Sequence, residues 1–128
     1  MMEMKYADYA WEQTTALLAI DSPSGYTGKA AAWVKDAFAN LGFDAHITTK
    51  GGVIIDLGGK NTEDGLLLEA HADTLGAMVA TVKGNGRLKM TGLGGMNPNN
   101  AEAEMSGSIP ETVRSWKALP SFATHLSM

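Results

Sequence analysis

These 128 residues contain no cysteine. That absence excludes a disulfide framework, a thiolate nucleophile and a Cys-ligated zinc finger, and it leaves any metal to be held by His, Asp and Glu. Histidine is itself scarce, limited to His46, His71 and His125. Positive charge is also short. Ten Lys+Arg stand against fourteen Asp+Glu, a formal charge of -4, the wrong balance for a nucleic-acid backbone or an anionic lipid surface. No run of about 18 apolar residues exists to span a bilayer, and the N-terminus carries an acid at Glu3 with no apolar centre of a secretion signal behind it. The expectation is a cytoplasmic protein with neither nucleic-acid nor membrane partners. Length is limited too: on a prior of roughly 100 to 200 residues per domain, a two-domain enzyme cannot be complete here, and a large active site must be borrowed or absent. What is present, 45% hydrophobic and 19% charged residues, is ordinary for a globular chain and excludes a disordered or collagen-like one.

The apolar residues fall first at helical spacing. Over 6–20, Ala7, Ala10, Trp11, Thr14, Leu17 and Leu18 share one face at 3.6 residues per turn and predict a first amphipathic helix. Pro23 and Gly25 break it, and Thr27 is positioned to cap a second helix. Ala30, Trp33, Val34, Ala37, Phe38 and Leu41 repeat the helical pattern, with Gly42 where a left-handed C-terminal residue is favoured. The stripes of Trp11 and Trp33 read as core. After Gly42 the period becomes strand-like: 43–49, 53–57 and 66–71 predict three strands, separated by Gly51-Gly52 and by the turn formers of 58–65. A further pair, 77–83 and 87–91, flanks Gly84-Asn85-Gly86, whose Asn-Gly step signals a hairpin. The fold class is α/β.

Chemistry concentrates where the run Leu66-Leu67-Leu68-Glu69-Ala70 leads into His71-Ala72-Asp73. Strand ends are where α/β proteins place their sites. Residues two apart on an extended chain share a side, so the Asp73 carboxylate can fix the His71 ring while its other nitrogen meets a metal. Taken by itself the pair is unspecific, and a hydrogen-bonded His-Asp pair without function fits the same residues. Glu69 has the same parity but reads as a solvated carboxylate. His46 reads as a surface histidine. Ser22 and Ser24 have no evident partner for nucleophilic activation, so their loop reads as turn chemistry. Gly92, Gly94 and Gly95 lack the lysine and the strand-loop-helix setting of a phosphate cradle.

The order of these features carries more than any one of them. A helix, the loop Pro23-Ser24-Gly25-Tyr26, a helix, a hairpin, an apolar strand ending in His71-Ala72-Asp73-Thr74-Leu75-Gly76, then Ala77-Met78-Val79 and a second hairpin resemble the start of the M42-family metallo-aminopeptidases. The stretch from Leu93 through Asn97-Pro98-Asn99-Asn100 to Ala101-Glu102-Ala103-Glu104 is similar to that family's passage into its inserted domain. The resemblance covers about residues 4 to 104. It implies a partial catalytic α/β domain of a dinuclear metallopeptidase over 1–75, followed over 76–104 by the first β-hairpin of an inserted β-barrel-like domain. It also implies His71 as a ligand of one metal, Asp73 as the catalytic residue orienting it, and two zinc or cobalt ions as cofactors. The implied substrates are peptides losing their N-terminal residue, and the full-length relatives are implied to homo-oligomerise. The bridging aspartate, the general-base glutamate and the remaining ligands would lie beyond the inserted domain, so the chain alone is expected to be inactive.

Residues 105–128 depart from that pattern. The family resemblance leads one to expect a strand similar to N-V-R-V-Y-T-R-D-G-K and then E-G-T. Reading the implied codons one base earlier from Glu104 permits that series in order, and Trp116 followed by Lys117 forces glutamate where the series has it. The expectation is a one-base slip near Met105 and a non-native tail over 105–128, in which His125 is accidental. Two other readings stand beside this one: a small non-catalytic α/β interaction module with a packed C-terminus, and a related metal-dependent amidohydrolase or deacylase, against which the Asn-Pro-Asn-Asn passage argues.

Overall fold

A computed structural model describes residues 4–61, 63–97, 99, 106–108 and 116–118, the last two segments and Lys5 by their backbone alone. It falls into two units, Met1–Thr74 and Leu75–Met128, and is of the α/β class, with two helices and small antiparallel sheets. No helix among the described residues is long and apolar enough to cross a membrane.

In the first unit α1 spans Met4–Leu18 and α2 spans Gly28–Asn40. The end of α2 is built as its sequence predicts. Gly42 takes φ 89, its N–H donates to Ala39 O at 2.9 Å, and the Phe43 N–H reaches back to Phe38 O at 3.1 Å. These are the two backbone bonds of a Schellman motif. Its hydrophobic contact is present as well: the Phe38 and Phe43 rings meet edge to face at 6.3 Å. Only at the start does the helix depart from expectation. Thr27 occupies the N-cap position without a side-chain cap bond, and its carbonyl alone serves the helix, accepting from Ala31 N at 2.9 Å.

Strands β1 (Asp44–Ile47) and β2 (Val53–Asp56) form an antiparallel hairpin that packs against α2. Alternation sorts its faces. Ala45, Val53 and Ile55 are partly covered, while His46 and Ile54, paired across the strands, are exposed. The surface placement expected of His46 is what the fold gives it.

Two expectations fail in this unit. Trp11 is not core but 75% exposed, and Met4 and Leu18 on the same helix are nearly as open. A helical stripe marks a face without stating what covers it, and α1 touches α2 only lightly. The predicted strand over 66–71 is also missing. Leu66, Leu67 and Leu68 are 87%, 82% and 75% exposed, and no strand among the described residues pairs with them. An apolar run supplies strand propensity, but a ladder needs a neighbour to receive its hydrogen bonds. Full burial is accordingly rare: Ala30 and Ala31 on α2 are the only buried apolar residues among those described.

In the second unit β3 (Gly76–Val82) and β4 (Leu88–Leu93) pair antiparallel, with an irregularity between Val79 and Thr81. Its turn repeats that of the first hairpin. Lys83 N donates to Arg87 O and Gly86 N to Lys83 O, as Thr48 N does to Gly52 O and Gly51 N to Thr48 O. Gly86 and Gly51 alone supply the positive φ in these two loops, 79 and 85. Both are three-residue loops closed by a left-handed glycine rather than the two-residue Asn-Gly turn. Strands β5 (Ser106–Ser108) and β6 (Trp116–Ala118) also pair antiparallel. His125 and residues 101–105 lie outside the described residues, as do the side chains of 106–108 and 116–118.

Candidate metal-ligand site at the His-Ala-Asp segment

The loop after α1 and the segment 72–74 lie side by side. Thr74 N donates to Ser22 O at 2.8 Å, the Ser22 hydroxyl donates to Ala72 O at 3.1 Å, and Pro23 and Thr74 form a parallel bridge. Ser22 is the one buried polar residue among those described. These contacts anchor the backbone of the segment that leaves the leucine run. Two residues on, the loop turns back: Tyr26 N donates to Pro23 O at 2.7 Å, with Gly25 at φ 89 in the third position, where a type II turn calls for glycine. Ser24 stands at the corner of that turn, and its hydroxyl donates to Asp73 Oδ2 at 2.6 Å.

The other carboxylate oxygen, Asp73 Oδ1, lies 3.1 Å from His71 Nδ1. The Asp73 backbone carbonyl lies at the same distance from that nitrogen. Both residues are accessible, the His71 side chain 86% and the Asp73 side chain 40% exposed. His71 and Asp73 are thus brought together as their spacing suggests. Glu69 is exposed and takes no part, and His46 belongs to the exposed face of the β1–β2 hairpin. Ser24 does more than the turn chemistry that its sequence setting indicates. Its partner is 49 positions away, and the one sequence signal for it is the joint occurrence of the Pro-Ser-Gly loop and the His-x-Asp motif.

Ser24 also governs the charge of the site. Its hydrogen bond is the largest influence holding the Asp73 carboxyl below the ordinary value of 3.8; partial burial pushes the other way, and the His71 ring lowers it further through a hydrogen bond and its charge. Because the folded value lies below the unfolded one, the carboxylate stabilises the fold at pH above about 3.8 and that contribution is lost as pH falls through the folded value. In an NMR titration the Asp73 carboxyl carbon is expected to have a midpoint below 3.8, and Ser24→Ala to raise it. A midpoint that Ser24→Ala leaves in place would show that the hydroxyl does not control this charge.

An imidazole whose Nδ1 is engaged by a carboxylate and whose Nε2 is open is the usual arrangement of a metal-ligating histidine. Nε2 of His71 has no partner among the described residues, so ring and carboxylate fit one ligand position of a divalent ion. They do not make a full site. No group of three or more His, Cys, Asp or Glu able to hold a metal occurs among the described residues.

Residues 51–106, which contain this segment and the β3–β4 hairpin, match the M42 glutamyl aminopeptidase family. Over this stretch the chain is similar to M42 peptidases. The chain is 38% identical over 88 residues to "Putative aminopeptidase YhfE" of Bacillus subtilis (strain 168), covering 69% of this chain and 25% of that protein. It is 28% identical over 89 residues to "Glutamyl aminopeptidase" of Lactococcus lactis subsp. cremoris (strain MG1363), with the same two coverages. The chain thus matches about a quarter of the length of these curated relatives.

Proposed function

We propose that this chain is the opening section of a metal-dependent aminopeptidase, to which it contributes His71 as one ligand of a divalent metal and Asp73 as the residue that orients the ring. The observation that carries this reading is the His71–Asp73 contact at 3.1 Å with Nε2 open, inside the stretch that matches the M42 family. A bound zinc or cobalt ion would supply Lewis-acid activation of a water toward the first peptide bond. The part of this chain is to present the neutral imidazole, with Asp73 holding the ring's far side. A catalytic metal needs about three protein ligands and an open position, so the complementary ligands belong to sequence outside the described residues. As it stands the chain is inert. The intended substrates are peptides with a free N-terminal residue, acted on in the cytoplasm by a homo-oligomer of the complete protein.

In this reading residues 1–75 open the catalytic domain, 76–104 begin an inserted β-domain, and 105–128 are a tail produced by a one-base slip near Met105. The family match running as far as residue 106 supports that division, as do three consecutive leucines left open on the segment that leads into His71. Apolar surface of this kind marks where a further element packs. Removal of 105–128 is therefore expected to change the unfolding free energy of the first unit by less than roughly 1 kcal/mol, the size expected for a segment without a packing role. A larger loss in denaturant melts followed by helical circular dichroism would instead favour a small, self-contained interaction module. The function itself is tested by hydrolysis of aminoacyl-p-nitroanilides with added zinc or cobalt, by the chain as it stands and by a version with its reading frame restored.

A further inference from the structure

We propose that Ser24 is a positioning residue for His71, acting through Asp73: the hydroxyl fixes the carboxylate so that the imidazole is held as the Nδ1–H tautomer, with its lone pair at Nε2. The tautomer follows from the acceptors. Nδ1 faces Asp73 Oδ1 and the Asp73 backbone carbonyl, each at 3.1 Å. A carbonyl oxygen only accepts, and so does an ionised carboxylate. The proton must therefore sit on Nδ1, and the neutral ring keeps its free electron pair at Nε2.

What holds this arrangement is not packing, because His71 is 86% exposed at its side chain. The carboxylate is the anchor, and the carboxylate is itself anchored at one oxygen. Ser24 Oγ donates to Oδ2 at 2.6 Å, a short charge-assisted bond, which leaves Oδ1 as the oxygen presented to the ring. The hydroxyl's own place is set without His71. Ser22 O and Ser22 Oγ tie the loop to Thr74 and Ala72, and the glycine turn at Gly25 puts Ser24 at its corner. Two motifs 49 positions apart thus operate as one device: the Ser-Pro-Ser-Gly loop sets the nitrogen through which the His-x-Asp motif can bind. The tautomer is independent of any metal. Only the use of the Nε2 lone pair as a ligand rests on the function proposed above.

The test uses the full chain with 15N-labelled histidine at mildly alkaline pH. Ring-nitrogen shifts report each tautomer ratio. His46, exposed on its hairpin, serves as the internal reference for a free ring. In the wild-type chain His71 is expected to favour Nδ1–H clearly over the His46 ratio. Ser24→Ala is expected to move the His71 ratio several-fold toward Nε2–H, and Ser24→Thr, which keeps the hydroxyl, to restore it. Ser22→Ala loosens the same loop without touching Asp73 and is expected to move the ratio less. The proposal is overturned if Ser24→Ala leaves the ratio unchanged, or if Ser22→Ala shifts it as far. Should Ser24→Ala fail to fold, the wild-type spectrum decides, since a His71 ratio equal to that of His46 also overturns it. A frame-restored protein without peptidase activity would leave this result untouched, so the two readings fail separately.

Discussion

Inserting one base between the codons of Glu104 and Met105 is expected to yield a protein that hydrolyses aminoacyl-p-nitroanilides when zinc or cobalt is added, an activity the unaltered chain is expected to lack. No metal-dependent turnover is expected of the unaltered chain in the same assay: His71 with Asp73 supplies one ligand position where about three are required, and no larger group of ligand side chains occurs among the described residues. In the restored protein the two residues separate by role. Asp73→Asn keeps the size of the side chain but loses the charge that faces Nδ1 at 3.1 Å; loss of such an outer partner costs about 10 to 100-fold in metal affinity or activity. His71→Ala removes the ligand itself and is expected to cost more than about 100-fold, above that range for outer partners. Excess metal recovers part of the Asp73→Asn loss, since the ring is still present, and none of the His71→Ala loss. A restored protein that stays inert, or one whose activity survives His71→Ala, sinks the assignment.

The parts of the fold that can be read from the sequence are those whose cause is local. Gly42, Gly51 and Gly86 each sit where the chain needs a positive φ, and each terminates or turns an element that the periodicity outlines. The second helix is legible for the same reason: its apolar residues, its C-terminal glycine and the Phe38–Phe43 contact all lie within sixteen positions of one another. What cannot be read depends on something distant. The run at 66–71 has strand composition, yet a strand is defined by its neighbour, and none of the described residues supplies one. The stripe containing Trp11 is visible in the sequence, but its lack of a cover is not. At the site, the His71–Asp73 pair is legible because two residues on an extended chain can meet without help. Ser24 is not, because only the parallel pairing of the loop with 72–74 brings its hydroxyl across the 49 positions that separate it from Asp73.

That pairing depends on a first unit with very little buried apolar surface, and Ala30→Asp is expected to abolish its fold. Ala30 is 0% exposed and lies in the first turn of α2, which starts at Gly28. Two effects oppose each other at this position. A carboxylate near a helix N-terminus gains about 0.3 to 1 kcal/mol from the aligned peptide dipoles. A carboxylate removed from water without a partner costs several kcal/mol even after relaxation, so burial prevails. Marginal domains have only about 5 to 15 kcal/mol in total, and a unit in which Ala30 and Ala31 are the only buried apolar residues described belongs at the low end. The loss depends on pH in a defined direction. Burial raises the pKa of the introduced carboxyl, so the penalty is smallest in acid, where the group is protonated in both states, and grows as pH rises through the ordinary carboxylate range. Ala32→Asp makes the same chemical change two positions later at an exposed site and is expected to stay within about 0.5 kcal/mol of the parent. Helical circular dichroism at neutral pH and near pH 4 separates the two variants. Equal losses would show that α2 tolerates no added carboxylate at all, and that the closed position of Ala30 is not what holds the unit together.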